Sequence, residues 1–303
     1  MLTRHTYEKS EWIDLFDPTA DEIREVIDTC DISPNLAHDL SGPVPRSEVT
    51  AEADSIKVIL NFPVVKLVGH ERPQEIKFLI TKERLITVRY ADIASIHQFA
   101  KEFEVTSTLD KTQKTLHGGE IFVAMMKTLY TTLTQKLDYM EVRLTEIEER
   151  MFDSKERELV VEISHVSQRL VMFRQSLIEH EPVLAETRSA ATTLFGNDLT
   201  HGLRKLESVC GNSNRKLTYL TASAVELRET NNALLTTKQN EIMKTLTIMA
   251  FVTFPLSLFA SLFGMNTETL PIVGTPGDFW YILGFMILAT AGFFAFFKYK
   301  RWM

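Results

Sequence analysis

Cysteine is almost missing from these 303 residues: Cys30 and Cys210 are the only two, and they lie far apart in sequence. That excludes a disulfide framework and a cysteine metal site, and leaves two ordinary reduced thiols. Basic charge is in deficit, with 33 Lys and Arg against 40 Asp and Glu, a net charge of -7 and a pI near 5.7. Such a balance argues against a nucleic-acid surface. No Gly-rich phosphate cradle or P-loop occurs, so nothing in the chain points to work driven by a nucleotide. The N-terminus lacks a short apolar core followed by small residues, so no removable signal peptide is expected.

The most telling absence is of charge in two long stretches. Thr245 to Phe263 carries no charged side chain and is built mainly of Leu, Ile, Met, Phe, Ala and Val. Its length of about 19 residues is enough to cross a hydrocarbon core about 30 Å thick. Phe279 to Phe297 is a second uncharged run of the same length, ending at Lys298, Lys300 and Arg301. A buried hairpin in a soluble core seldom runs so long without one charge, so both runs read as transmembrane helices. Lys238 and Lys244 precede the first span and the basic cluster follows the second, whereas the loop from Thr267 to Asp278 has no Lys or Arg. The positive-inside bias therefore puts both termini in the cytoplasm and the loop outside, in the inner (plasma) membrane of the cell. The loop's only charges, Glu268 and Asp278, are negative and mildly attract cations.

Ahead of the spans lies a polar body, as the mean hydropathy of -0.04 for the whole chain requires. Ser55 to Phe62, Ile76 to Ile80 and Leu85 to Tyr90 read as strands, and Asp17 to Thr29 and Asp92 to Phe103 as helices, giving a cytosolic α/β domain over residues 1–116. Gly118 and Gly119 punctuate the chain, and from Glu120 the pattern stays helical over 117–243. Two antiparallel helices, Glu120 to Met151 and Glu156 to Arg188, are expected on either side of Asp153-Ser154. Acidic residues crowd that turn, interleaved with Arg143, Arg150, Lys155 and Arg157, which reads as a salt-bridged, solvated face. His180, between Glu179 and Glu181, reads as a solvated helix end rather than a metal ligand.

A third helix is expected from near Asn214 to Phe263, roughly 75 Å at 1.5 Å per residue. Two stripes run along it. Leu217, Leu220, Ala224, Leu227, Asn231 and Leu234 make an apolar seam interrupted once by Asn231. Glu226, Glu229, Ala233, Thr236, Asn240, Met243, Thr247, Ala250, Phe254, Ser257 and Ser261 make a second stripe, acidic at first, then small, hydroxylated and bulky apolar groups in turn. Several copies around an axis would give a conduit with an acidic cytosolic mouth at Glu226 and Glu229 and apolar constrictions at Met243 and Phe254, the kind that gate by dewetting. Equally, Ala250, Ser257 and Ser261 are residues that let helices approach closely in a membrane.

A first span containing Pro255 and ending Phe263-Gly264-Met265-Asn266, a short loop over 267–278, a second span and the tail Lys298-Tyr299-Lys300-Arg301-Trp302 together resemble the CorA family of divalent metal ion transporters, which includes ZntB-like zinc transporters. The order of elements matches the family along essentially the whole chain. The resemblance implies an α+β cytosolic domain, long helices and two C-terminal transmembrane helices in a funnel-shaped homopentamer. It implies that the first span, 244–266, lines the pore and the second, 279–297, lies outside it, with the tail 298–303 cytosolic. Gly264, Met265 and Asn266 would then form the outer selectivity ring, where Asn266 oxygens meet the incoming metal ion. Mg²⁺ dehydrates reluctantly and is well recognised through its water shell by neutral oxygens. The expected activity is passage of Mg²⁺, with Co²⁺ and Ni²⁺, down the electrochemical gradient, with no cofactor and no enzymatic step. Two charges moving through about 100 mV gain about 4.6 kcal/mol. Family members that carry Mg²⁺ commonly follow the tripeptide with Met-Pro-Glu-Leu, whereas this loop has Leu270-Pro271-Ile272-Val273 and so loses a carboxylate. That departure keeps open a proton-coupled Zn²⁺ importer of the ZntB kind. A membrane-anchored sensor or scaffold without transport is the alternative from another class.

Overall fold

The first strands are β1 (Leu2–Tyr7) and β2 (Ser10–Phe16), the second buried on both faces from Trp12 to Leu15. Helix α1 (Ala20–Cys30) follows, then β3 (Glu48–Ala51), β4 (Ser55–Pro63), β5 (Pro73–Thr81) and β6 (Arg84–Arg89). The computed structural model describes residues 1–7, 10–30, 32–33, 36, 40, 42, 46–63, 73–109, 116–153, 156–265 and 276–300. Its six strands form one sheet in the order β1-β2-β6-β5-β4-β3. All neighbours are antiparallel except β2 and β6, which run parallel with Trp12 opposite Leu85 and Leu15 opposite Val88.

Each face of the sheet has its own cover. On one, Ile13, Leu15, Leu79, Ile86 and Val88 pack with Ile23 and Val26 of α1. On the other, Trp12 meets Phe99 of α2 (Ala94–Leu109), with ring centroids 5.2 Å apart, and Phe78 meets Phe122 of α3 (Gly118–Arg150), also at 5.2 Å. A buried ion pair sits on this second face. Arg89 donates from Nη2 and Nε to Asp14 at 2.9 and 3.2 Å, while the Thr87 hydroxyl donates to Asp14 at 2.7 Å and itself accepts from the Trp12 indole at 3.0 Å. Its polar atoms are thus partnered, as burial requires.

The helical part is α3, α4 (Glu156–Leu177), α5 (His180–Phe195), α6 (Thr200–Phe263) and α7 (Asp278–Tyr299). Two expectations need correcting. The second hairpin helix does not run through to Arg188: it stops at Leu177, and a fresh helix starts at His180. The long helix begins at Thr200, not near Asn214, even though Gly202 and Gly211 then lie inside it at a cost of about 1 kcal/mol each. Gly202 has a packing reason, since a Cβ there would meet Val123 of α3 at 3.0 Å. Gly118 and Gly119 likewise serve close approach rather than freedom. Both are buried in the first turn of α3, where a Cβ on Gly118 would run into the carbonyls of Arg84 and Thr81.

The chain divides into two compact units, Met1–Arg228 and Glu229–Met303. In the first, the seam residues Leu217, Leu220, Ala224 and Leu227 are buried. Polar contacts hold the same stretch, with Lys216 reaching Asp138 and Glu141 of α3 at 2.5 and 2.6 Å. At the α3–α4 turn, Arg143 pairs with Glu146 and Glu162, and Arg150 with Glu162, so the crowded acids are interleaved with basic partners.

Candidate functional site

Among the described residues two helices, α6 and α7, are long and apolar enough to cross a membrane, and almost none of their most apolar stretch is buried within the chain. Little inside the chain competes for these surfaces. Where the two helices do touch, Phe259 of α6 meets Phe285 of α7 edge to face, with centroids 5.4 Å apart.

The helical repeat turns that contact into a statement about faces. At about 100° per residue, Ile248, Val252, Phe259 and Phe263 share one side of α6, and Met243, Thr247, Ala250, Phe254, Ser257 and Ser261 lie about 180° away. The first set is buried or half-buried, with Ile248 at 7% exposure. In the second set Phe254 is 73% and Met243 59% exposed, Thr247, Ser257 and Ser261 are exposed, and Ala250 is half-buried. Further down the helix Glu226, Glu229, Ala233, Thr236 and Asn240 are exposed too. On α7 a matching row, Ile282, Met286, Ala289, Phe293 and Phe297, is at least partly covered, and Phe297 is buried. The packed face of α6 carried a sequence signal of its own, an apolar i, i+4 spacing opposite the mixed stripe.

At the far end of α6 the ladder closes on itself: Gly264 N–H donates to Ala260 O at 3.0 Å and Met265 N–H to Leu262 O at 3.4 Å. A Cβ on Gly264 would stand 3.1 Å from Ala260 O, a tight approach. Met265 is exposed. Asn266, Glu268 and the Leu270-Pro271-Ile272-Val273 segment lie outside the described residues. Among the described residues no three His, Cys, Asp or Glu side chains gather closely enough to hold a metal ion.

In the first unit, His180 departs most from expectation. Far from being a solvated helix end, it is fully buried. Its Nε2 lies 2.8 Å from Asn61 O of β4, and its Nδ1 lies 2.8 Å from the Tyr130 hydroxyl of α3. Burial pulls the imidazole down to about 4 against the opposing pull of the Asn61 carbonyl and Glu179. Burial also pushes the Tyr130 phenol well above its ordinary range and the Cys210 thiol up to about 11. The flanking Glu179 and Glu181 misled the expectation, because the buried partners sit 50 and 119 residues away in sequence.

A family model described as "CorA-like Mg2+ transporter protein" matches residues 7–301. The chain belongs to the CorA family. CorA relatives of two kinds align along nearly its full length. The cobalt/magnesium transport protein CorA of Methanocaldococcus jannaschii is 21% identical over 96% of this chain and 91% of its own. The zinc transport protein ZntB of Pectobacterium carotovorum is 19% identical over 98% of this chain and 89% of its own. Among solved structures, the CorA magnesium transporter from Methanocaldococcus jannaschii superposes with a TM-score of 0.83 at 19% identity, covering 99% of this chain and 94% of that one. The CorA fold, with an α+β domain, a long helix and two candidate transmembrane helices, is therefore that of this chain, and its family is one of membrane transporters for divalent cations.

Proposed function

We propose that the chain is a divalent-cation channel passing Mg²⁺, and with it Co²⁺ and Ni²⁺, down the electrochemical gradient through the centre of a homopentamer. The observation that carries this is the exposed stripe of α6 lying opposite the face that packs on α7. Threonine, serine and asparagine groups beside bulky apolar ones would give a hydrated ion passing partners between narrow dry points. In this reading Asn240, Met243, Thr247, Ala250, Phe254, Ser257 and Ser261 line the pore, Glu226 and Glu229 form its cytosolic mouth, and Gly264, Met265 and Asn266 form the outer selectivity ring. Glu268 lies in the external loop, both termini are cytoplasmic, and residues 1–116 and 117–243 are the cytosolic domain and the helical stalk.

A second reading has one observation in its favour. The loop after the tripeptide holds Ile272 where a carboxylate is common in Mg²⁺ carriers, which suits a proton-coupled Zn²⁺ importer. Ion-resolved flux into liposomes, with and without a proton gradient, separates the two. Mg²⁺ uptake that needs no proton gradient is the expected result. Proton-coupled Zn²⁺ uptake without Mg²⁺ uptake would transfer the assignment to the second reading. No divalent flux from a monomer or dimer would leave the two spans as a tether.

A further inference from the structure

The buried chain Asn61–His180–Tyr130 joins three elements that are distant in sequence, β4, α5 and α3, and the buried Cys210 of a fourth, α6, lies close enough to act on the Tyr130 phenol. Its hydrogens have one arrangement. A backbone carbonyl only accepts, so His180 Nε2 carries the hydrogen and donates to Asn61 O at 2.8 Å. In a neutral ring Nδ1 must then accept, so the Tyr130 hydroxyl donates to it at 2.8 Å. Phe62 closes the pocket, with its ring 4.9 Å from the imidazole and 6.1 Å from Tyr130.

An added proton breaks that arrangement. Protonated Nδ1 becomes a donor, so the Tyr130 hydroxyl must turn away to accept from it, and the charge would sit fully buried where no carboxylate is hydrogen-bonded to the ring. Among the described residues the charged groups acting on the cluster come from α5 and its N-cap: Glu179 on His180 and Glu181 on Cys210. One carboxylate oxygen of Glu179 accepts from Ser47 N–H at 2.9 Å. From β4, α3 and α6 the facing groups among the described residues are a carbonyl, a phenol, a thiol and the Asn214 amide, whose Nδ2 lies 4.0 Å from Cys210 Sγ.

We propose that this chain is an acid-sensitive latch: proton uptake by His180 releases the start of α5 from β4 and α3, and with it uncovers Cys210 on α6. The logic is linkage between local opening and protonation. A solvated histidine titrates near 6.5, whereas the closed site keeps the ring neutral far below that. Each pH unit of acidification below about 6.5 therefore multiplies the open population about tenfold, until the closed site also takes up the proton. Above about 6.5 the latch is indifferent to pH.

Cys210 is a built-in reporter, buried when the latch is closed. The test treats the full-length protein in detergent with 4,4′-dithiodipyridine, a reagent that attacks thiols even in acid, at pH 7.5, 6.5, 5.5 and 4.5. Mass spectrometry then gives the Cys210 labelling rate, normalised to a short cysteine peptide at each pH, with half-buried Cys30 as the internal control. The expected result is a flat normalised rate from 7.5 to 6.5, then a rise of about tenfold per pH unit at Cys210 but not at Cys30. His180→Gln, which keeps an N–H for Asn61 O, should lose the slope. Tyr130→Phe keeps the imidazole and should retain the slope from a higher starting rate, which covers the case of a His180 variant that fails to fold. A wild-type rate that does not rise below pH 6.5, a slope that survives His180→Gln, or one that disappears in Tyr130→Phe would overturn the proposal.

Discussion

Helix α6 belongs to both units and behaves differently in each. From Leu217 to Leu227 its apolar residues are buried and Lys216 beside them is paired with Asp138 and Glu141, whereas from Met243 to Leu262 its apolar residues are largely exposed. The first stretch finds its solvent-free surroundings within its own chain. The second has only a partial partner in α7, so it must find them in lipid or in further copies of the chain. The difference teaches that hydrophobicity alone does not identify a core. Substitutions in the first stretch should act on folding, and those in the second on transport.

The sharpest way to break that division is at the end of the second stretch. Asn266→Ala removes the side-chain oxygen of the proposed selectivity ring. Mg²⁺ flux in liposomes should be lost, a drop of well over tenfold, with an unchanged oligomer on size-exclusion chromatography. Undiminished flux would remove Asn266 from the ion path and with it the division as drawn.

Next in size is Phe122→Ala in the first unit. Its ring is 1% exposed and packs edge to face on Phe78, so truncation leaves a cavity and should cost about 3–5 kcal/mol. Leu258→Ala, at a 60% exposed position of the second unit, should leave the first unit's unfolding midpoint unchanged. Denaturant titration of both variants checks the pair, and equal losses would contradict independent cores.

A third test uses pH. His180 is held down to about 4 in the folded state against an ordinary value near 6.5. Above pH 6.5 both states carry a neutral ring and nothing is lost. Between 6.5 and 4 the unfolded state binds the proton and the folded state does not, so stability should fall by about 3 kcal/mol in total and then level off. Comparing wild type with His180→Gln across that window isolates the contribution, and parallel curves would assign the acid sensitivity to other groups.

These contrasts also mark what was legible in the sequence. Both spans could be read because a bilayer demands long uncharged runs, and the two stripes of α6 because helical spacing is local information. β4, β5 and β6 were visible from their β-branched and aromatic runs. The edge strand β1, LTRHTY, was not, since its pairing with β2 supplies what its own composition does not. His180 was misread for a related reason: Asn61 and Tyr130 reach it only through tertiary folding. The break at Ile178–Glu179 and the early start of α6 at Thr200 were hidden too. Pro182, in the first turn of α5, has no N–H to give the Ile178 carbonyl and so marks the break, but it was read as part of a continuing helix, and the two glycines tolerated inside α6 disguised the start of that helix.

The smallest expected effect refines the comparison instead of dividing it. Phe254 is 73% exposed on the face opposite the α7 contact and precedes Pro255, the proline inside α6. Proline has no N–H, so the carbonyl of Phe251 loses its helical donor one turn before the proposed constriction. If copies of this face surround an axis, a ring of phenyl groups would exclude water and hold the pathway shut at low energy cost. Phe254→Ala should then raise basal conductance a few-fold in planar bilayers, while Phe259→Ala, on the α7 face, should weaken packing between the two helices without raising conductance. Reversed behaviour of the two phenylalanines would turn α6 round by half a turn, with its polar stripe against lipid or a neighbouring helix and its apolar face toward the axis.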